Sequence, residues 1–459
     1  MKNIQINSKF IKPGDIFVAI PCKGVKANIF DALQNGAELV FAERNDAEQC
    51  DIKNIVAIPD ARLIASKLSR FIYPNQPEIC IAVTGTNGKS SVAHFLSQIW
   101  TYSGITSANL GTLGLFINQE AAFPNEITIP NLTTPDPVTF HKIMEYLVSQ
   151  KVNHCVFEAS SHALEQKRCH SATLTAAAFT NLASDHLDYH KTKEVYFATK
   201  LKLFQDILPP DRPAIVSMDF PEIYQEVSKY NHNIITFGMN DKNFVKAKNI
   251  QESSEKIVFD LVCGNELFPQ IEIKLLGTFQ VMNILCAVAL ALTSGLNPSA
   301  IADILPKIKS LNGRMEHIRT LNGGNVYVDF AHTADGLKNA LKCFRKVCRG
   351  RLICVFGCGG NRDITKRPEM GRIASQLADI CVVTDDNPRQ EMPEEIRKQI
   401  IASCPNAIEI GNRHEAINHA LSIIHPGDIV AIMGKGHETY QIYGTTSTHF
   451  SDKEKILAF

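Results

Sequence analysis

Val83-Thr84-Gly85-Thr86-Asn87-Gly88-Lys89-Ser90-Ser91 (83–91) follows the apolar run Ile79 to Val83 and leads into an amphipathic segment from about Ser90 to Trp100. Strand, glycine-rich turn and helix in that order predict a turn whose backbone N–H groups, together with the helix N-terminus, surround phosphate groups. Gly85 and Gly88 permit close approach. Lys89 supplies a compact positive charge for the β- and γ-phosphates, and the Ser90 hydroxyl is within reach of a magnesium ion. The loop departs from the standard G-x-x-x-x-G-K-[ST] spacing, because Val83 stands where the first glycine would fall. A plain glycine turn beside a surface lysine is the competing reading, and the flanking strand and helix argue against it. Gly85, Thr86, Asn87, Gly88, Lys89, Ser90 and Ser91 are therefore the expected ATP contacts.

Outward from this loop, strand-like apolar runs continue at Cys155 to Phe157, Ala176 to Phe179, Ala214 to Ser217 and Ile234 to Phe237. They predict a mostly parallel sheet with helices on its faces. Before it lie shorter runs, Ile16 to Ile20 and Leu39 to Ala42, and the linker Pro74-Asn75-Gln76-Pro77. After it, from about Asn312, come Val326 to Asp329, Leu352 to Phe356, Ile380 to Val383 and Ile429 to Ile432. Each of these four runs into polar or glycine-rich residues: AHTADG, GCGGNRD, TDDNPRQ and GKGHET. In open α/β sheets ligands bind at the carboxyl ends of the strands, so four such loops are expected at one rim. A dinucleotide fingerprint is disfavoured, because Arg362 stands where its third glycine belongs. The expected fold is α/β with three domains: 1–74, small and N-terminal; 75–311, a central P-loop ATPase-like parallel sheet; and 312–459, Rossmann-like.

The chain has 459 residues, long enough for about three ordinary domains. Lys plus Arg and Asp plus Glu both number 47, so no global field draws it to nucleic acid or anionic lipid. The N-terminal segment has no secretory h-region, and no stretch reads as a membrane span. Thirteen scattered cysteines include no C-x-x-C pair, which predicts reduced, mostly buried thiols and a cytoplasmic location.

The compact T-G-T-N-G-K-S is similar to the phosphate loop of the Mur ligases, which join an amino acid or peptide to a UDP-muramoyl carboxylate, and of the related folylpolyglutamate synthetases. From Glu158 onward the chain reads EASSHALEQKRCH, FTNLASDHLDYH and YFATKLKLF. On physical grounds alone Glu158 and His186 could be ordinary polar rim residues. The order and wording of the blocks closely resemble the central Mur ligase domain. That resemblance implies that Glu158 and His186 bind magnesium and that Lys200 becomes carbamylated, turning an ammonium into an oxygen donor. It also implies an acyl-phosphate route, in which a substrate carboxylate takes the γ-phosphate of ATP and an incoming amine then displaces phosphate. Lys89, Glu158, His186 and Lys200 form the implied catalytic set, with Ser90 as a further metal contact.

By the same resemblance Ser8, Thr133, Thr134, Ser160, Gln166 and Arg168 contact the UDP-muramoyl peptide, and Asn283, Arg314, Asp329 and His332 lie around the nucleotide. The first domain then binds UDP. Asn7-Ser8-Lys9 departs from the family's usual Asp-Ser-Arg, and the third domain has Phe330 and Asn361 where tyrosine and aspartate are frequent.

One tetrapeptide points to the amino acid that is added. Asp386-Asn387-Pro388-Arg389 resembles the branch that adds meso-diaminopimelate, whose far end carries a carboxylate that lysine lacks. Arg362 and Arg389 suit that carboxylate, and Asp386 and Glu438 suit ammonium groups. Asn387, Pro388 and Gly434 complete the expected amino-acid contacts. The implied partners are UDP-N-acetylmuramoyl-L-alanyl-D-glutamate, meso-diaminopimelate, ATP and magnesium, acting on a monomer. The same kind of ligase using lysine or another diamine is the nearest rival; a folylpolyglutamate synthetase, which should not need the D-N-P-R loop, and a nucleotide-binding regulator without turnover are more distant ones.

Overall fold

The computed structural model describes residues 3–48, 54–124, 127–130, 132–183, 187–253 and 255–459. Its contacts divide the chain into two compact units: 1–248 with 260–269 and 282–305, and 249–259 with 270–281 and 306–459.

The first unit opens with four short parallel strands, Ile4–Gln5, Ile16–Val18, Leu39–Glu43 and Ile55–Ile58, in sequential order. Phe17, Ile29 and Val40 fill one face of this small sheet, and Ile4, Val18 and Ala61 the other. The Ala61–Ile72 helix begins where Asp60 accepts a hydrogen bond from the Leu63 amide (2.8 Å), a side-chain N-cap.

A larger sheet follows in the same unit. Ile79–Thr84 is buried along nearly its whole length, as a strand covered on both faces must be. Its parallel neighbours are His154–Glu158 on one side and Ala176–Phe179 on the other. Ser107–Gly111 lies beyond the first, and Ala214–Val216 then Ile234–Gly238 beyond the second. The chain therefore steps outward from Ile79–Thr84 to Ser107–Gly111, returns to insert His154–Glu158, and crosses to the other side. The strand order reverses at Ile79–Thr84, which opens a crevice at its carboxyl end. The Lys89–Tyr102 helix buries Val92, Phe95, Leu96, Ile99 and Trp100, and Trp100 Nε1 donates to Ser294 Oγ (2.8 Å).

The second unit carries a six-stranded sheet in the order Glu316–Leu321, Gly324–Asp329, Ile429–Met433, Leu352–Phe356, Ile380–Val383, Ile408–Glu409, parallel except for its first strand. Alternation along the strands separates two cores. Leu352, Cys354 and Phe356 face the helices Ala334–Val347, Lys366–Leu377 and Pro393–Ile401, whereas Ile353 and Val355 face Arg413–Ser422 and Asp452–Ala458. The four loops singled out in the sequence leave the carboxyl ends of adjacent parallel strands.

Among the described residues no helix is long and apolar enough to cross a membrane. The described cysteines are free thiols, mostly buried, with Cys22 exposed.

Candidate active site

The phosphate loop is held both by its neighbours and by side chains of its own. Gly85 has φ +141° and Gly88 φ +84°, and a Cβ at either would overlap Thr180 Oγ1 or Asn283 Oδ1 respectively. Both glycines are thus demanded by conformation and by space. From the loop after Ala176–Phe179, the Asn181 carbonyl accepts from the Thr86 amide (2.9 Å), Asn181 Oδ1 accepts from the Asn87 amide (3.0 Å), and Thr180 Oγ1 donates to the Asn87 carbonyl (2.6 Å). Lys89 Nζ folds back onto the Gly85 and Thr86 carbonyls (2.9 Å each). Asn283 lies against Gly88, so one nucleotide residue inferred from resemblance does meet the loop.

Lys200 also reaches this loop. It is buried, donates to the Gly85 carbonyl (2.8 Å) and sits over the Tyr196 ring (4.4 Å), while the Tyr196 hydroxyl contacts Thr86 Oγ1 (3.3 Å). His186 lies outside the described residues.

Glu158 ends the neighbouring strand, paired in register with Val83. Its buried carboxylate accepts from the Thr112 amide (2.9 Å) and hydroxyl (3.2 Å), and only a glycine at 111 leaves it room. Thr112 Oγ1 in turn contacts Thr133 Oγ1 (3.0 Å). Thr134 Oγ1 donates to the Glu158 carbonyl (2.7 Å) and accepts from the Ser160 amide (3.2 Å). Arg168 donates to the Thr134 carbonyl (2.8 Å) and, through Nε and a terminal nitrogen, to Gln166 Oε1 (3.1 and 2.8 Å). Glu158, Thr133, Thr134, Ser160, Gln166 and Arg168 therefore form one connected rim. Ser8 is apart from this set, in the short helix Ser8–Phe10 of the first small sheet, where its carbonyl accepts from Asn35 Nδ2 (3.0 Å).

The donors at this rim are hard oxygens, namely the Glu158 carboxylate and the Thr112 and Thr133 hydroxyls. Cys80 and Cys155 lie lower in the same strands, where burial pushes the Cys80 thiol up to about 12 and Cys155 well above its ordinary value. Such a set fits magnesium, which prefers oxygen and retains waters, and does not suit a thiophilic metal. Among the described residues no cluster of three His, Cys, Asp or Glu gathers.

In the second unit, the Arg314 guanidinium stacks on Phe330 (4.7 Å), and His332 and His437 flank the same ring (4.6 and 5.0 Å). Burial lowers both imidazoles, His437 to about 4 with the Arg314 charge adding to the effect, so both stay neutral near pH 7. Asp329 is buried and accepts from the Met315 (2.7 Å) and Ala331 (2.8 Å) amides. Burial raises its carboxyl, against the pull of Arg314. Asp329 thus shapes the turn that presents Arg314 and His332.

The D-N-P-R loop is braced throughout. Asp385 pairs with Arg397 and accepts from the Tyr443 hydroxyl (2.9 Å). Asn387 Nδ2 donates to Glu438 Oε2 (3.0 Å), and Lys435 Nζ donates to both Asn387 Oδ1 and Glu438 Oε2 (3.1 Å each). Arg389, at φ +53°, donates to the Gly360 carbonyl (2.9 Å) and exchanges backbone hydrogen bonds with Ile442 and Gly444. A Cβ at Gly359 would lie 2.9 Å from an Arg389 terminal nitrogen and 3.9 Å from Arg362 Cγ, so the two arginines flank one glycine. A Cβ at Gly434 would lie 2.9 Å from Asp386 Oδ2. Asp386 is mostly buried, yet no donor among the described residues hydrogen-bonds its carboxylate. Behind this rim, Arg413 and Asp452 form a fully buried ion pair (2.7 Å), and Arg413 also donates to the Met433 carbonyl (3.0 Å).

The Mur ligase middle domain family matches residues 83–291, and the Mur ligase glutamate ligase domain family matches 313–436. The UDP-N-acetylmuramoyl-L-alanyl-D-glutamate--2,6-diaminopimelate ligase of Rhizobium meliloti (strain 1021) is 41% identical over 99% of this chain and 93% of its own length. The chain belongs to the Mur ligase family. The same-named ligase of Anaplasma marginale (strain St. Maries) is 40% identical over 98% of this chain and 94% of its own. A solved Mur ligase structure bearing that name, 30% identical, superimposes with a TM-score of 0.73 over 100% of this chain and 94% of its own. A MurF ligase from Thermotoga maritima in complex with ADP, at 18% identity and a TM-score of 0.64 over 95% and 94% of the two chains, shares the Mur ligase fold.

Sequence reasoning passed over Thr112, Thr180, Asn181, Tyr196 and Lys435. Thr180 and Asn181 stand in the block FTNLASDH and Lys435 in GKGHET, so the signal was present. It was hidden because these residues act on the loops around them.

Proposed function

We propose that this chain adds meso-diaminopimelate to UDP-N-acetylmuramoyl-L-alanyl-D-glutamate, using ATP, during synthesis of peptidoglycan precursors. The observation that carries this reading is the charge pattern at the second rim. Two arginines flank Gly359, and beside Gly434 lies a carboxylate, Asp386, with no hydrogen-bond donor of its own among the described residues. Lysine offers such a rim one ammonium and leaves the arginines without an anion. The far end of diaminopimelate offers both charges on one carbon.

The chemistry needs no protein nucleophile. The D-glutamyl γ-carboxylate attacks the γ-phosphorus, the bond to ADP breaks, and an acyl phosphate forms. The amine of the incoming amino acid then attacks the acyl carbon, loses a proton, and phosphate leaves. The loop amides and Lys89 bind the triphosphate, and the rim from Thr133 to Arg168 orients the muramoyl peptide, so that positioning supplies most of the rate. Bound magnesium, held by Glu158 with Ser90, His186 and carbamylated Lys200, would neutralise the converging anions. UDP binding at the Ser8 segment, the domain limits 1–74, 75–311 and 312–459, and a cytoplasmic, monomeric enzyme belong to the same reading.

The test is phosphate release by the purified chain with UDP-muramoyl dipeptide, ATP, magnesium and each candidate amino acid in turn. Release with meso-diaminopimelate far above that with lysine is expected. Equal release with lysine would overturn the substrate, and no amino-acid-dependent release would overturn the activity.

A further inference from the structure

The helix Ser161–Glu165 ends in a turn that carries two residues of the first rim, Gln166 and Arg168. Gln166 closes the helix, Lys167 takes the left-handed conformation at φ +54°, and the Arg168 amide then donates back to the Ala163 carbonyl (2.9 Å). Glycine is the residue such an ending favours, because a Cβ strains the left-handed backbone. Lysine stands there instead, and its side chain supplies what glycine could not. Lys167 Nζ reaches Asp60 Oδ2 (2.5 Å) at the head of the Ala61–Ile72 helix. Asp60 Oδ1 is taken by the Leu63 amide, so one carboxylate both caps that helix and holds the turn between Gln166 and Arg168. Burial works against this carboxylate, yet the hydrogen bonds from Lys167 and Leu63 keep it below its ordinary range. Elsewhere the same helix meets the elements of the larger sheet through neutral groups, Ala61 and Ala65 clustering with Val138, and Ser66 Oγ accepting from the Ser171 amide (3.1 Å).

We propose that Lys167 is a positioning residue that couples the first small sheet to the rim running from Thr133 to Arg168. This rests on the functional reading above, in which one substrate spans both, with UDP at the Ser8 segment and the muramoyl peptide at the rim. By pinning the turn to Asp60, Lys167 fixes the offset between the two halves of that binding surface. A ligand that grips both then meets them already in register and does not have to order them itself. The two side chains are 32% and 33% exposed, so water screens the pair and its contribution is modest. Neither ATP nor diaminopimelate spans these two elements on that reading, so their binding should not register the loss of the tie.

Full-length wild type, K167M, K167G, K167R, D60N and D60N/K167M would be assayed for phosphate release, with KM measured separately for UDP-muramoyl dipeptide, ATP and diaminopimelate. The same variants would be tested on the muramoyl dipeptide 1-phosphate, which lacks the UMP half. K167M should raise the KM for UDP-muramoyl dipeptide about threefold and move the other two KM values less than about 1.5-fold. K167G relaxes the backbone but drops the tie, so it should match K167M, whereas K167R should stay near wild type. D60N keeps a capping oxygen but loses the charge, so it should match K167M as well, and D60N/K167M should cost no more than either alone. On the shortened substrate, which cannot span the two elements, K167M and wild type should have equal KM values. The proposal is overturned if K167M leaves the KM for UDP-muramoyl dipeptide unchanged, shifts all three KM values alike, or weakens the shortened substrate as much as the full one. It is also overturned if K167G behaves as wild type, or if the losses in D60N and K167M add. Should K167M fail to fold, D60N on the two muramoyl substrates still decides. A wild type that releases no phosphate with any amino acid sinks the functional reading and this proposal together, whereas an active wild type indifferent to K167M and D60N sinks only the role of Lys167.

Discussion

Around the phosphate loop the chain presents backbone, and around the D-N-P-R loop it presents paired side chains. Thr86 and Asn87 are fixed by main-chain and amide contacts from Asn181, and the ammonium groups of Lys89 and Lys200 rest on carbonyls. In the second unit Asp385, Glu438 and Asp452 each pair with a cation, Arg397 being shared between Asp385 and Glu409. The difference fits the ligands proposed above. A triphosphate spreads its charge over many oxygens and is met well by a row of N–H groups, whereas an amino acid carries separate charges that must be met one by one.

If backbone shape governs the first site, Gly85→Ala should have the largest effect. The left-handed conformation and the overlap with Thr180 together cost about 3 kcal/mol or more, and ATP-dependent phosphate release should fall to background. Normal turnover by this variant would break the contrast at once. If discrete charges govern the second, Arg389→Ala should raise the KM for diaminopimelate by about 2–3 kcal/mol in free-energy terms and leave that for ATP unchanged. Equal shifts in the two KM values would erase the distinction.

The units differ in what they bury as well. The second hides charges in pairs, while the first hides an imidazole in neutral form. His141 has no exposed surface, neither ring nitrogen has a partner among the described residues, and burial, with Arg70 adding to it, lowers the group to about 3. Its folded value lies below the unfolded one of 6.5, so the stability it contributes is complete above about pH 6.5 and is lost as pH falls toward 3. Between about pH 7 and pH 5, urea unfolding should show wild type losing about 2 kcal/mol more than His141→Leu. Parallel pH curves would remove His141 from the account. The smallest expected effect is that of Tyr443→Phe, which deletes the hydrogen bond to Asp385 but leaves Arg397 in place. It should weaken diaminopimelate binding by about 1 kcal/mol or less in steady-state kinetics.

The parts of this architecture that were legible in the sequence are those with a strong local signature. The apolar run before T-G-T-N-G-K-S and the four strand-to-loop passages of the second unit fall where the pattern puts them. Ser107–Gly111 escaped notice because a buried strand of small and polar residues lacks an apolar run, although both its neighbours cover it. Glu316–Leu321 escaped because an edge strand with Glu316, His317 and Arg319 resembles a polar loop. At the candidate site, residue types point to Arg362, Asp386 and Arg389, but they do not reveal that Glu438 pairs with Lys435. That knowledge depends on a lysine whose burial is decided by the meeting of two distant loops.

The Arg413–Asp452 pair carries a consequence for inheritance. Either member alone would leave a full charge sealed away from water, so no single substitution at these two positions has a gentle path. Lineages that keep this architecture should retain both residues or exchange both, and the helix Asp452–Ala458 is thereby bound to the fate of the helix Arg413–Ser422.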